Sequence, residues 1–190
     1  LRDFAVVYVD GEKVGELNRN TQAYSMDIEV PFNATLQILV ENMGRINYGS
    51  QITDNNKGII SPITIAGKEI NGEWNMYKLP MNVVPDLQKM GRFASKASKL
   101  KGAPVIYEGT FNLDKTGDTF IDMENWGKGI IFINGINIGR YWKVGPQQTL
   151  YIPGVWLKKG ENKIVIFEQL NDNAKTEVST VQTPKLMNLK

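Results

Sequence analysis

Cysteine and histidine are both absent from the 190 residues. Without cysteine there can be no disulfide, no thiolate nucleophile and no Cys-ligated zinc, while the compartment stays open because exported proteins need no disulfides. Without histidine the most common general base, the Ser-His-Asp triad and the most common metal ligand all disappear together. Any chemistry would have to rest on carboxylates, lysine or tyrosine. Long apolar runs are also missing: none approaches the roughly 20 residues of a membrane span, so no membrane partner is expected. The charge excess is small, +2 at neutral pH with a pI near 8.7. Nucleic acid needs a concentrated basic face, so it too is not an expected partner. What is present is ordinary. Hydrophobic residues at 42% and charged residues at 22% suit a folded globular chain, long enough for one large domain or two small ones. Leu1-Arg2-Asp3-Phe4 runs straight into a strand pattern with no initiator Met and no signal peptide, so the chain is expected to be cut from something longer.

The dominant pattern is apolar–polar alternation over short runs punctuated by Gly, Pro and Asn, the mark of half-buried strands. It is cleanest in Tyr24-Ser25-Met26-Asp27-Ile28-Glu29-Val30. Further strands are predicted at Phe4 to Val9, Thr35 to Glu41, Ile59 to Ile65, Val105 to Phe111 and Thr119 to Met123. Beyond these come Ile130 to Asn134, Gln148 to Ile152, Lys163 to Phe167 and Glu177 to Val181. Asp10-Gly11, Asn71-Gly72 and Asn134-Gly135 are turn signals. Helix is confined to Asn82 to Met90, limited by Pro85, and to Ser95 to Leu100.

An internal repeat organises the chain. Val7-Tyr8-Val9-Asp10-Gly11-Glu12-Lys13-Val14-Gly15 returns as Ile131-Phe132-Ile133-Asn134-Gly135-Ile136-Asn137-Ile138-Gly139, with both glycines in register. Each copy is followed by another apolar strand, ending at Glu41-Asn42 in the first and Glu168-Gln169 in the second. Glu41 and Glu168 are therefore expected to be equivalent. Two copies so far apart argue for two related domains rather than a solenoid. Residues 1–87 would form a first β-sandwich, 88–103 a basic linker and 104–190 a second sandwich. The second copy has two strands before its hairpin and the first has none, so the first domain is expected to be incomplete at its N-terminus.

Leu39-Val40-Glu41-Asn42-Met43-Gly44-Arg45-Ile46-Asn47-Tyr48-Gly49 with Lys57-Gly58-Ile59 closely resembles the first β-domain of family 35 glycoside hydrolases that act as β-galactosidases. The second half carries the resemblance as strongly. Trp126-Gly127-Lys128-Gly129, Asn134-Gly135, Asn137-Ile138-Gly139-Arg140-Tyr141-Trp142, Gly145-Pro146-Gln147 and Thr149-Leu150-Tyr151-Ile152-Pro153 follow at the family's spacing. The resemblance implies an all-β fold of two jelly-roll domains related to galactose-binding modules. It implies that the catalytic glutamates lie on an N-terminal (β/α)8 barrel absent from this chain, which would then be no enzyme by itself. That barrel is the expected partner, galactosides a second one, and a homodimer through exposed apolar surface a third. The family also implies a periplasmic or extracellular location.

Some residues could carry more than packing. Trp126, Tyr141 and Trp142 offer flat faces for sugar C–H groups, and Asn134, Asn137 and Arg140 offer donors for hydroxyls. The competing reading is that they fill the sandwich or dock it on the barrel, because aromatics bury large areas. Strand alternation puts Arg140 and Trp142 on one face and Tyr141 on the other. No cofactor is expected. Asp122, Glu124 and Asn125 could ligate a structural calcium ion, but they sit on or beside a strand rather than in a loop of alternating oxygen ligands. The sequon Asn33-Ala34-Thr35 is too short a pattern to carry weight.

Overall fold

The computed structural model describes residues 1–84, 102–170 and 177–187. The chain divides into two compact units, Leu1–Tyr77 and Lys78–Lys190. Most of the linker expected over 88–103, six of the nine residues of the helix expected over Asn82 to Met90 and all of the one expected over Ser95 to Leu100 lie outside the described residues.

Unit 1 is built on three antiparallel strands, β1 (Phe4–Val9), β2 (Glu12–Asn18) and β3 (Leu36–Glu41), in the order β2-β1-β3. Every residue of β1 is buried, as suits the middle strand of a sheet covered on both faces. Beyond it come only two short strands, β4 (Thr64–Ile65) and β5 (Lys68–Glu69), joined by a turn at Ala66 and Gly67 with positive φ. The turn predicted at Asn71-Gly72 does not close a hairpin. The run Tyr24–Val30 forms no strand either. Its alternation is expressed as burial, with Met26 and Ile28 half-buried between exposed neighbours, but its backbone joins no ladder among the described residues. Met26 packs on the sheet because β2 carries Gly15 there: a Cβ at that glycine would sit 2.9 Å from Met26 Sδ. Since a methionine side chain can swing aside, Gly15→Ala is expected to lower unit 1 stability by only about 1 kcal/mol, read as a small fall in its urea midpoint.

Unit 2 is a β-sandwich. One sheet has four strands in the order β6 (Val105–Leu113), β11 (Gly160–Glu168), β8 (Lys128–Ile133) and β9 (Ile136–Trp142). The other has three, in the order β10 (Thr149–Ile152), β7 (Thr119–Asp122) and β12 (Ser179–Val181). Ile131, Ile133, Ile164 and Ile166 from the first sheet meet Ile121, Leu150 and Ile152 from the second, forming one core. At about 1.5–3 kcal/mol for each fully buried aliphatic side chain, this layer is the main source of the unit's stability.

The repeat is the same local structure twice. Asp10 and Gly11 have φ of 51° and 85°, and Asn134 and Gly135 have 51° and 86°, the paired left-handed residues of a two-residue hairpin turn. In both hairpins one residue is bulged out of the ladder: pairing runs from Val7↔Gly15 to Tyr8↔Lys13, and from Ile131↔Gly139 to Phe132↔Asn137. The turn side chain also hooks the next strand. Asp10 Oδ1 accepts the Thr35 N–H at 2.8 Å, and Asn134 Oδ1 accepts the Lys163 N–H at 3.0 Å.

That shared hook sets the register between the copies and corrects one expectation. Glu41 pairs with Phe4, the counterpart of Lys128, whereas Glu168 pairs with Gly129, the counterpart of Ala5. The two glutamates are therefore one position out of step. A shift of one residue turns a strand side chain to the opposite face: Glu168 is buried, and Glu41 is half-buried.

Candidate functional site

Unit 2 buries a carboxylate where β8 begins and β11 ends. Ile164, Ile166 and Glu168 share one strand face, and the last is a carboxylate only 2% exposed. Its Oε1 accepts the N–H groups of Lys128 and Leu170, each at 3.0 Å; its Oε2 accepts the Gly127 N–H at 2.9 Å and the Tyr141 hydroxyl at 3.1 Å. A Cβ on residue 127 would lie 2.7 Å from Oε1, so glycine there is what lets the carboxylate come close. Burial first, and then the Glu168 charge, push the Tyr141 phenol far above its usual pKa, so it stays a neutral donor. Sequence reading missed this anchor. The signal was available: alternation from two core isoleucines carries residue 168 into the same interior.

Of the six residues singled out from the sequence, Trp126 and Tyr141 meet in the core of unit 2. Trp126 is in the core, edge-to-face with Tyr107 at 5.3 Å and with Tyr141 at 6.2 Å. Asn134 donates to the Trp156 carbonyl and to Asn162 Oδ1, both at 2.8 Å. Asn137 donates to the Met81 carbonyl at 2.7 Å and accepts the Gly139 N–H at 2.8 Å. On β9 Arg140 is exposed, Tyr141 buried and Trp142 half-buried, the alternation a strand imposes. The Lys128 ammonium lies over Trp142, 4.6 Å from the ring centroid. With Lys128 fully buried, this contact belongs to the stronger, desolvated kind.

Asn134 has two jobs that substitution can separate. Asn134→Gly keeps the left-handed backbone but loses the three side-chain bonds, and should cost about 1–2 kcal/mol. Asn134→Ala adds strain at φ of 51° and should cost about 1 kcal/mol more than the glycine variant. Paired thermal melts would show the ordering alanine below glycine below the parent.

A cleft of about 630 Å³ opens between the two sheets, with Phe111, Ile121, Ile152 and Trp126 in its walls and Asp122 and Asn125 as polar groups. Asp122 is already engaged: Lys185 Nζ lies 2.6 Å from its Oδ2 and 3.1 Å from Glu124 Oε2. The lysine thus takes the place between these carboxylates that a cation would need. Burial works to raise the Asp122 pKa, but the Lys185 and Glu124 N–H hydrogen bonds outweigh it and the net shift is downward. Among the described residues no cluster of three metal-ligating acids is present.

The hairpin that occurs once in each unit and the antiparallel sheets built on it define a pair of related all-β domains. Residues 1–80 match the family model of the β-galactosidase first all-beta domain, and residues 104–162 that of the β-galactosidase galactose-binding domain. Beta-galactosidase 1 of Dictyostelium discoideum is 35% identical over 202 residues, covering 97% of this chain and 30% of that protein. Beta-galactosidase of Xanthomonas manihotis is 39% identical, covering 80% of this chain and 24% of that protein. Beta-galactosidase-1-like protein 2 of Homo sapiens is 36% identical, covering 89% and 26%. The chain belongs to the β-galactosidase family. It spans less than a third of the length of these relatives, which come from bacteria and eukaryotes alike.

Proposed function

We propose that this chain is the non-catalytic accessory region of a β-galactosidase of glycoside hydrolase family 35, and that it packs against and stabilises a catalytic (β/α)8 barrel carried elsewhere in the polypeptide. The observation that carries this reading is the match of both units to non-catalytic β-galactosidase domains, within relatives more than three times as long. Chemistry supports it. A retaining glycosidase needs two carboxyl groups about 5 Å apart, one of them free to attack, whereas Glu168 spends its oxygens on backbone N–H groups and Asp122 is tied to Lys185. The full-length protein would hydrolyse terminal β-galactosides in carbohydrate metabolism, outside the cytoplasm. The 190-residue chain is expected to show no turnover of a nitrophenyl β-galactoside, and measurable turnover by pure chain would sink the reading.

A second reading, an independent galactoside-binding module, is favoured by the cleft between the sheets of unit 2. It predicts saturable, galactose-selective shifts in tryptophan fluorescence, with glucose as control, weakened by Asn125→Ala at the cleft. Silence up to tens of millimolar, where affinities are worth less than about 4 kcal/mol, would remove it.

A further inference from the structure

Asn-Gly occurs twice in the chain, as Asn71-Gly72 and Asn134-Gly135, and the fold puts the two copies in opposite settings. The dipeptide has a reactivity of its own. The amide nitrogen that follows an asparagine can reach the side-chain Cγ when the backbone turns, and glycine sets no Cβ in the way of that approach. Every other asparagine here is followed by a residue that has one.

Asn134 is held on all sides. Its backbone, at φ of 51°, sits in the tight turn between β8 and β9, and its N–H donates to the Lys163 carbonyl at 2.9 Å. Its Oδ1 accepts the Lys163 N–H, and its Nδ2 donates to the Trp156 carbonyl and to Asn162 Oδ1. Before Cγ could meet the Gly135 nitrogen, three side-chain bonds would have to open and the turn would have to change its backbone. Among the described residues nothing holds Asn71. It lies just past the bond from the Ile70 N–H to the Ile63 carbonyl, outside any strand or turn, and both it and Gly72 are exposed. Neither its side-chain amide nor the Gly72 N–H has a hydrogen-bond partner, and a Cβ built on Gly72 would meet nothing within 4 Å.

We propose that Asn71 is a site of spontaneous covalent modification, deamidation through a cyclic imide, and that the fold spares Asn134. The Gly72 nitrogen gives up its proton and attacks Asn71 Cγ. The new N–Cγ bond closes a succinimide ring, and the Cγ–Nδ2 bond breaks as the leaving nitrogen takes up a proton and departs as ammonia. Solvent water, the only co-reactant, then opens the ring. Cleavage between the nitrogen and Cγ leaves aspartate in an unchanged backbone; cleavage between the nitrogen and the main-chain carbonyl carbon leaves isoaspartate, with the chain running through Cγ. Either product lowers the formal net charge of +2 by one. Isoaspartate also lengthens the backbone by one carbon just ahead of the exposed run that holds Trp74, Met76, Tyr77 and Leu79.

Ageing the pure 190-residue chain at mildly alkaline pH, followed by peptide mapping with mass spectrometry, tests this. The peptide holding residue 71 should convert to two isomeric acids, faster as hydroxide rises, because the attacking nitrogen must lose its proton. The peptide holding residue 134 should convert at least about 100-fold more slowly, since three hydrogen bonds have to open first. In urea that unfolds the chain the two rates should come together, with residue 71 little changed and residue 134 accelerated. Gly72→Ala should suppress conversion at residue 71 and leave the urea midpoint of unit 1 where it is. Equal rates at the two sites in the folded chain would overturn the proposal, as would a residue 71 that stays an amide until urea is added. Conversion at an undiminished rate in the Gly72→Ala chain would overturn the imide route.

Discussion

Glu168→Ala is expected to destabilise unit 2 by about 3–5 kcal/mol, the range for removing one partner of a buried, charge-assisted network. The Lys128 and Leu170 N–H groups would be left buried without an acceptor, and the Gly127 N–H and Tyr141 hydroxyl would lose theirs. For a domain of this size each kcal/mol moves the melting temperature by about 4 °C or more, so the fall should exceed about 12 °C. Two comparisons separate the anchor from mere cavity formation. Glu168→Gln keeps the volume and one oxygen but turns an NH2 group toward N–H donors, and should fall between parent and alanine variant. Tyr141→Phe removes only the hydroxyl and should cost about 1 kcal/mol. A Glu168→Ala protein that melts within about 3 °C of the parent would show that the carboxylate does not organise this end of the sheet.

Asp3→Asn should have the next largest effect, in unit 1, and its effect should depend on pH. Asp3 is 2% exposed and lies just before β1. Its Oδ1 takes Arg19 Nη1 at 2.9 Å, and its Oδ2 takes Lys57 Nζ at 2.6 Å and the Met43 N–H at 3.0 Å. One carboxylate thus ties together the turn after β2, the chain after β3 and the loop at Lys57. Burial acts to raise its pKa, but the hydrogen bonds from Lys57, Arg19 and Met43 outweigh this and the folded-state value lies below 3.8. A carboxyl group whose pKa is lowered by folding contributes its full stabilisation above the unfolded-state value, and loses it as pH falls through the folded-state value. At neutral pH the asparagine variant should be less stable by about 2–4 kcal/mol, since two cations lose a buried counter-charge. Urea melts of unit 1 across pH should show parent and variant converging below the ordinary aspartate range. A constant gap down to pH 2 would mean that the charge is not what holds these segments.

The two anchors show where sequence reading reaches its limit. They stand at the same end of equivalent sheets, yet one precedes the first hairpin strand and the other ends the third, so no alignment of the repeats reveals that they do the same work. Pairing Glu41 with Glu168 by their place in the sequence was off by one residue, and in a strand that reverses inside and outside. Tyr24–Val30 makes the same point from the other direction. It has the best alternation in the chain and forms no strand, because alternation records which side chains are buried while a ladder also needs a neighbouring backbone.

The all-β class, the two hairpin turns and the family were determined by the sequence alone, because each rests on local chemistry or contiguous motif: period-two burial, Asp-Gly and Asn-Gly at left-handed positions, and long strings of residues at set spacing. The tertiary structure decided which strands are central and which are edges, which carboxylate is interior, and that Trp126 and Tyr141 belong to the core while Arg140 faces solvent. Those outcomes depend on register and pairing between segments far apart in the chain, and a two-residue period cannot tell one partner, or one register step, from the next.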